Sequence, residues 1–293
     1  FEALSAGLSP PEDLVNDGWT SAFRELNFLG VKSSDSPENR AALERYKDAD
    51  LQKMDRIRSR VDQLVHDPDT AEALKPYYGF FCKRPGFHDS YLQAYNRENV
   101  MLVDTRGNGV ERISGNTVHA NGKSYEVDCL IFSTGFMFSM PADKVGGFSL
   151  RGRRGMSLAE KWSSGVRSLF GVHYNGFPNM FIVGSPIQSA ATINVPSLIQ
   201  TQSQHIAEVF SRMLHDKTPI IESTEAEEQG WLETVLQHPF MDPESILECT
   251  PSYFNAEGSL DPDAAAEAGP FSGGIIQYRE CLENWRASRF RSD

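Results

Sequence analysis

A chain of 293 residues can bury a sizeable core, as one large domain or two smaller ones. Its 40% hydrophobic and 23% charged content is that of an ordinary globular protein, and its net charge of −12 argues against a general nucleic-acid surface, whose affinity rests on neutralising phosphates. No apolar run reaches the length of a membrane span, so no membrane partner is expected, and no signal peptide is expected ahead of the fold.

The chain opens on Phe1 instead of methionine, which reads as the interior of something longer. Its first 80 residues predict helices. Ser36-Pro37-Glu38 is a helix start, with Ser36 able to cap and Pro37 at the first helical position. Leu43, Tyr46, Leu51, Met54, Ile57, Val61 and Leu64 then fall largely at three- and four-residue spacing, the buried face of one long amphipathic helix. Asp67-Pro68-Asp69 breaks it, and a short helix follows towards Tyr77.

"FFCKRPGFHDSYLQAYNRENVMLVD" follows, from Phe80 to Asp104, with Lys83 and Arg84 side by side in an acidic chain. From Val100 the texture is extended. "VMLVD" predicts a short strand, and "TVHANGKSYEV" alternates around Asn121-Gly122, the dipeptide favoured in tight hairpin turns. "DCLIFSTGF" predicts a buried strand running into a Thr-Gly turn, and "NMFIVGSP" repeats that design. "ATINVPSLIQTQSQHIAEVFSRML" returns to helical spacing, with a helix beginning near Thr192. The tail after Lys217 is acidic and mixed, and closes in a terminal helix, "IIQYRECLENWRASRF". Strand, small-residue turn and helix in succession predict an α/β layered architecture. The four cysteines, Cys82, Cys129, Cys249 and Cys281, lie far apart with no CxxC pair and read as reduced thiols in a cytoplasmic protein, with no zinc site.

Three stretches can carry chemistry, each with a plainer alternative. The Thr134-Gly135 turn lets a ligand's phosphate or ring approach the backbone, or is only a tight connection. Gly184-Ser185-Pro186 leads to a helix start whose N–H groups can face an anion or an electron-rich ring edge, or is only a capped helix. Lys83-Arg84 is a solvated loop pair unless Phe80, Phe81 and Phe87 partly bury it, a cost that an anionic cofactor would offset. Gly107-x-Gly109 lacks the third glycine of a dinucleotide fingerprint and marks a turn. Arg151, Arg153 and Arg154 read as a solvated basic loop. None of the seven histidines has HExxH spacing, and GxSxG, P-loop and GxGxxG patterns are absent.

Taken in order, "CKRPGFHDSYLQAYNRENVMLVD", "DCLIFSTGF", "LAEKWSSGVRSLFGVHYNGFPNMFIVG", "QSQHIAEVF" and "CTPSYFNAEG" resemble the C-terminal part of a flavin-dependent Baeyer–Villiger monooxygenase. The Lys-Arg pair followed by Tyr-x-x-x-Tyr-Asn-Arg-x-Asn-Val is fairly specific to that family, and the Thr-Gly-Phe turn is shared more widely among flavin monooxygenases. The resemblance implies an α/β, partial two-dinucleotide-binding-domain flavoprotein fold with a helical insertion, its N-terminal FAD-binding unit absent. Residues 1–82 would be the helical insertion of the NADPH domain, 83–127 the returning part of that domain, and 128–293 the C-terminal part of the FAD domain with closing loop and terminal helix.

The same resemblance implies FAD and NADPH as cofactors and a small-molecule ketone and O2 as substrates, the product being an ester or lactone. Lys83 would contact the 2′-phosphate of NADPH. Arg84 would sit beside the flavin ring as the catalytic cation that stabilises the anionic peroxyflavin. Ser133, Thr134, Gly135 and Phe136 would form the turn between the two domains, and Gly184, Ser185, Ile193 and Asn194 would belong to the segment facing the flavin. Tyr253, Phe254 and Asn255 would form the mobile loop that closes over NADP and substrate. The family's GxGxxG unit, its NADPH-binding turn and its long identifier motif have no counterpart in the chain. Ser-Pro-Ile-Gln-Ser replaces the usual Gly-Pro-x-Ser after "FIVG", and no lysine follows Gly258. Two other readings stand beside this one. One is a flavin-free relative turned to isomerisation or cyclisation; the other is a non-catalytic binding module that pairs with a second chain. On the leading reading the chain alone would be colourless and would associate, because its strands lack their sheet neighbours.

Overall fold

The computed structural model describes residues 2–5, 8, 10–26, 37–135, 147–192, 194–237, 246–259 and 261–290. Its helices are α1 (Glu2–Ser5), α2 (Gly18–Leu26), α3 (Pro37–Leu64), α4 (Pro68–Leu74) and α5 (Tyr91–Ala94). A three-stranded antiparallel sheet follows: β1 (Arg112–Ser114), β2 (Thr117–Ala120) and β3 (Lys123–Glu126). Then come α6 (Leu158–Lys161), α7 (Val195–His215), α8 (Glu225–Leu236), α9 (Pro262–Ala268) and α10 (Gly274–Arg289). The chain divides into two compact units, one of residues 51–138, the other of residues 1–50 and 139–293. No helix among the described residues is long and apolar enough to cross a membrane.

In the unit of residues 51–138, the end of α3 and all of α4 follow from local chemistry. Asp67 stops α3 and caps α4, its Oδ1 accepting the Thr70 N–H at 2.8 Å, with Pro68 supplying a pre-set φ at the first turn. Val61, Val65 and Ala71 are buried with Leu74, Leu92 and Tyr95 packed against them. Met54 and Val61 lie on the expected buried face of α3, whereas Leu51 is 60% exposed. The five-residue step from Tyr46 to Leu51 leaves the three- and four-residue rhythm, so Leu51 leaves the stripe. The hairpin forms as expected. Ala120 pairs with Lys123, and Asn121 (φ 53°) and Gly122 (φ 68°) both take the left-handed conformation that a two-residue hairpin turn demands. The Ser36 cap lies outside the described residues.

The other unit is held by aromatic packing on three helices. Phe170 lies edge-on to Trp231, Tyr278, Trp285 and His205, with centroids 4.8–6.4 Å apart. Leu198, Val209 and Met213 from α7, Val235 from α8, and Ile275 and Leu282 from α10 complete that core. Two of these helices are started by side chains. Thr224 and Glu227 make a reciprocal capping box at α8, and Asn194 caps α7 by accepting the Ser197 N–H. A buried ion pair, Lys161 to Glu228 at 2.7 Å, is completed by the Asn175 N–H and the Ser223 hydroxyl on the other carboxylate oxygen. Three donors to the one carboxylate offset the desolvation of those charges.

The strands expected at 100–104, 129–132 and 180–183 are not ladder strands. Beside the helices, the ladder that the described residues form is one small antiparallel sheet. Phe181 makes a single antiparallel bridge to His173, and 100–104 and 129–132 pair with nothing in the described sheet. An extended apolar segment becomes a strand only when a neighbouring edge supplies alternating donors and acceptors. Cys129 and Cys281 are free thiols, as expected; Cys82 and Cys249 are not, so the expectation of four reduced cysteines holds for two.

Candidate active site

Lys83 and Arg84 leave a short helical turn, Phe80–Cys82, whose three side chains are buried. Phe80 and Phe81 pack edge to face, with centroids 5.1 Å apart, and the Lys53 ammonium lies 5.0 Å from the Phe80 ring. Lys83 is extended (φ −135°, ψ 158°), and in extended backbone successive side chains point to opposite sides. Lys83 lies half-buried with its ammonium 5.4 Å from the Tyr78 ring, while Arg84 is exposed. Among the described residues Arg84 has no carboxylate partner. Phe87, expected to help bury the pair, is 50% exposed, so the aromatic cover comes from Phe80, Phe81 and Tyr78 instead.

The Tyr-x-x-x-Tyr-Asn motif beyond the cations has a structural explanation. Tyr91 and Tyr95, one helical turn apart, bring their hydroxyls to 2.9 Å, and burial with the Tyr91 contact pushes the Tyr95 hydroxyl up to about 12. Asn96 then closes the end of α3. Its Nδ2 donates to the Leu64 carbonyl at 2.7 Å, and its Oδ1 accepts the His66 N–H at 2.9 Å. Two backbone groups orphaned by the helix end are thereby satisfied.

Ser133, Thr134 and Gly135 lie in the same unit and are exposed. Gly135 takes φ +80°, with no atom within 4 Å of where a side chain would begin, so the turn is open on that side. Upstream, Leu130, Ile131 and Phe132 are 41%, 80% and 72% exposed, where a buried strand was expected. Phe136 lies outside the described residues.

The Gly184–Asn194 segment belongs to the other unit and is tied down along its length. The Gly184 N–H donates to Gln202 Oε1 at 2.8 Å, and Gly184 takes φ +78° beside Ile199. Ser185 Oγ accepts the Ile187 N–H, and its carbonyl accepts the Ser189 hydroxyl. Gln188, which the family's usual Gly-Pro-x-Ser does not have, is fully buried. Its Oε1 accepts from Ser168 Oγ at 2.6 Å, and its Nε2 donates to the Val166 and Glu267 carbonyls at 3.0 and 2.8 Å. Trp231 Nε1–H reaches the Gln188 carbonyl at 2.8 Å. Phe271 pairs with both sides of Ala190, through the Ser189 carbonyl and the Ala191 N–H. Asn194 caps α7, whose first residue, Val195, lies three positions beyond the start expected near Thr192. Ile193 lies outside the described residues.

The closing-loop stretch Tyr253–Gly258 is a short helical turn organised by Asn255, which is 2% exposed. Asn255 Oδ1 accepts the Ser252 and Gly258 N–H groups, and its Nδ2 donates to the Cys249 and Thr250 carbonyls. That is the full hydrogen-bonding capacity of one amide side chain, spent inside the loop. The Phe254 N–H donates to Ser252 Oγ at 3.2 Å. Of the expected site residues, the unit of 51–138 thus holds Lys83, Arg84, Ser133, Thr134 and Gly135, and the other unit holds Gly184, Ser185, Asn194, Tyr253, Phe254 and Asn255. Gln188, Gln202 and Asn96 organise these segments although no site role was expected of them; for Gln188 the available signal was a glutamine following the apolar run FIV.

No protein-family model matches the chain. Across 98% of its length it is 42% identical to neopentalenolactone D synthase of Streptomyces avermitilis, covering 48% of that protein. It is 38% identical to a Baeyer-Villiger monooxygenase of Streptomyces coelicolor, covering 98% of this chain and 47% of the relative. Its fold superposes on the polycyclic ketone monooxygenase of Thermothelomyces thermophila with a TM-score of 0.84 and 33% identity, over 98% of this chain and 47% of that one. The chain therefore spans about half the length of the relatives it matches, and over nearly its whole length it belongs to the flavin-dependent Baeyer–Villiger monooxygenases, as a portion of such an enzyme.

Proposed function

We propose that the chain, together with the half of the protein that its relatives possess and it does not span, forms an FAD- and NADPH-dependent monooxygenase. Such an enzyme inserts one oxygen atom beside a ketone carbonyl and gives an ester or lactone. The observation that carries this reading is the Arg84 guanidinium, exposed, without a carboxylate partner among the described residues, and set directly beside Lys83. An unpaired guanidinium suits an anionic group better than any other ligand, and Arg is suited to flat, delocalised anions.

On this reading Lys83 holds the 2′-phosphate of NADPH and Arg84 holds negative charge at the flavin ring. Ser133, Thr134, Gly135 and Phe136 form the open turn between domains, and Gly184, Ser185, Ile193 and Asn194 face the flavin. Tyr253, Phe254 and Asn255 close over NADP and substrate, which excludes water from the reacting centre. The three-part division at 1–82, 83–127 and 128–293 belongs to the same proposal. When bound, FAD reduced by NADPH supplies the oxygen chemistry, while the chain's own residues orient the cofactors and hold charge. Exposed apolar positions support a further polypeptide surface: Ile131 and Phe132 before the open turn, and Phe210 and Leu214 on α7.

The balance is one ketone, O2, NADPH and a proton giving one ester, water and NADP+. Co-production of the chain with the complementary half of the S. avermitilis relative, followed by NADPH, a cyclic ketone and isotope-labelled O2, tests it. One labelled oxygen atom in the ester and one in water is the expected result. A flavin-loaded complex that leaves the ketone unlabelled and unchanged would refute it.

A further inference from the structure

The Gly184 turn is wired into the core by a one-directional chain of buried hydrogen bonds. The Gly184 N–H is an obligatory donor, so the Gln202 atom 2.8 Å away is the amide oxygen. The Gln202 Nε2 therefore faces Tyr278, donating to its hydroxyl at 3.2 Å. The hydroxyl's single proton then goes to the Phe170 carbonyl, 2.6 Å away. Gln202 and Tyr278 are both fully buried. The wire joins residues 18, 76 and 108 positions apart in sequence.

Each end of the wire is a left-handed backbone position. Gly184 takes φ +78°, and Phe170, a bulky residue for which that conformation is strained, takes φ +61°. The surrounding core is aliphatic and aromatic, including Leu198, Ile275 and Leu282. An amide in such a core is retained only where a backbone group needs it, since burying a polar group without partners is costly. A trans peptide also points its N–H and C=O in opposite directions. Fixing the Gly184 N–H inward therefore fixes the Val183 carbonyl outward, on the exposed side of the segment, where Val183 itself is 42% exposed.

We propose that Gln202 and Tyr278 are positioning residues that set the Val183–Gly184 peptide plane, holding the Val183 carbonyl as an acceptor for an N–H or O–H donor of the bound cofactor. The role rests on the reading above that the Gly184–Asn194 segment faces the flavin. It adds two residues and one backbone acceptor to that reading.

Hydrogen exchange at the Gly184 amide, read against Val209 and Met213 in the middle of α7, tests the wire in this chain. Gln202→Leu removes the acceptor, and exchange at Gly184 should rise at least about tenfold beyond any change at the two reference amides. Unchanged relative exchange at Gly184 would overturn the proposal. If Gln202→Leu does not fold, Tyr278→Phe decides, because it deletes one oxygen and keeps the ring. A rise of roughly threefold at Gly184 is expected, since the freed amide can turn; no rise overturns the wire. In the complex with the complementary half, Gln202→Leu should release FAD on the order of tenfold faster and shift the bound flavin's visible band. A wired Gly184 with unchanged flavin release and band position would overturn the positioning role. A wild-type complex that takes up no flavin would instead refute the functional reading, leaving the exchange result to judge the wire.

Discussion

Two stretches of this chain share one sequence design, an apolar run followed by small residues, and end in opposite states. "NMFIVGSP" is enclosed. Its turn is held by Gln202, and the residues just beyond are held by Gln188, Trp231 and Phe271. "DCLIFSTG" is open, with Ile131 80% and Phe132 72% exposed and Gly135 in empty space. The local pattern is the same, so the pattern does not decide burial. What decides it is whether the chain itself supplies the partners. For the first stretch they come from α7, α8 and the 266–271 region, and for the second the described residues supply none. The relatives match this chain over only about half their length, and we attribute the open stretch to surface that the complementary half covers.

That contrast can be broken from the enclosed side. Gln188→Leu keeps the volume but strips the Ser168 hydroxyl and the Glu267 carbonyl of their partner, while the Val166 carbonyl keeps the Arg167 guanidinium. At about 1–3 kcal/mol for each group left unsatisfied, the loss should be on the order of 2 kcal/mol or more. Urea unfolding with an unchanged m-value would report it. A loss below roughly 1 kcal/mol would mean that the segment is held by packing alone.

A second effect, set by pH, belongs to the same enclosed core. His173 and His205 place their Nε2 atoms 2.7 Å apart, and Arg286 donates to His205 Nδ1 at 2.8 Å. Burial pushes His173 down to about 4. Burial first, then His173 and Arg286, pushes His205 down to about 2. Glu227 partly opposes this at His173 and Arg289 adds to it, while Glu208 pairs with the far side of Arg286. Both folded-state values lie below the ordinary histidine value of about 6.5, so the unfolded chain takes up protons first as pH falls. Stability should be flat above about pH 6.5 and fall by roughly 1.4 kcal/mol per pH unit per histidine below it, His173 levelling off near pH 4. Urea midpoints from pH 7 to 5 check this, and His173→Gln should reduce the slope. A flat profile would contradict buried neutral histidines.

The open stretch should respond least. Phe132→Ser should change the unfolding free energy by no more than about 0.5 kcal/mol, because none of the described residues encloses that ring. Light scattering should show less self-association in the same variant. A loss above roughly 1.5 kcal/mol would show that the phenylalanine has a partner within this chain after all.

What could be read from the sequence was whatever depends on neighbours a few residues away. The Asn121-Gly122 hairpin, the Asp67-Pro68 helix boundary, the long helix after Pro37 and the closing helix through Trp285 all carry their cause locally. So does the Thr224-x-x-Glu227 capping box of α8, which was legible, although that tail read only as acidic and mixed. The expected strands failed because a strand is defined by its neighbour, and local propensity does not supply one. Gln188 and Gln202 were illegible as organisers, since they bond residues up to 79 positions away. Of the candidate site, the adjacent cations were legible as a pair. Their division into a half-buried Lys83 against Tyr78 and an exposed Arg84 became apparent only from the extended backbone between them.

On the proposed function, Arg84 is the catalytic cation of a Baeyer–Villiger monooxygenase of which this chain is a part. The most direct test is Arg84→Ala in the complex of this chain with the complementary half, with flavin reduction and ester formation measured on the same sample. We predict that NADPH still bleaches the flavin, while ester formation falls by on the order of a hundredfold or more, the usual cost of removing one preorganised charge partner. Ester formed at an undiminished rate by the alanine variant would contradict the account.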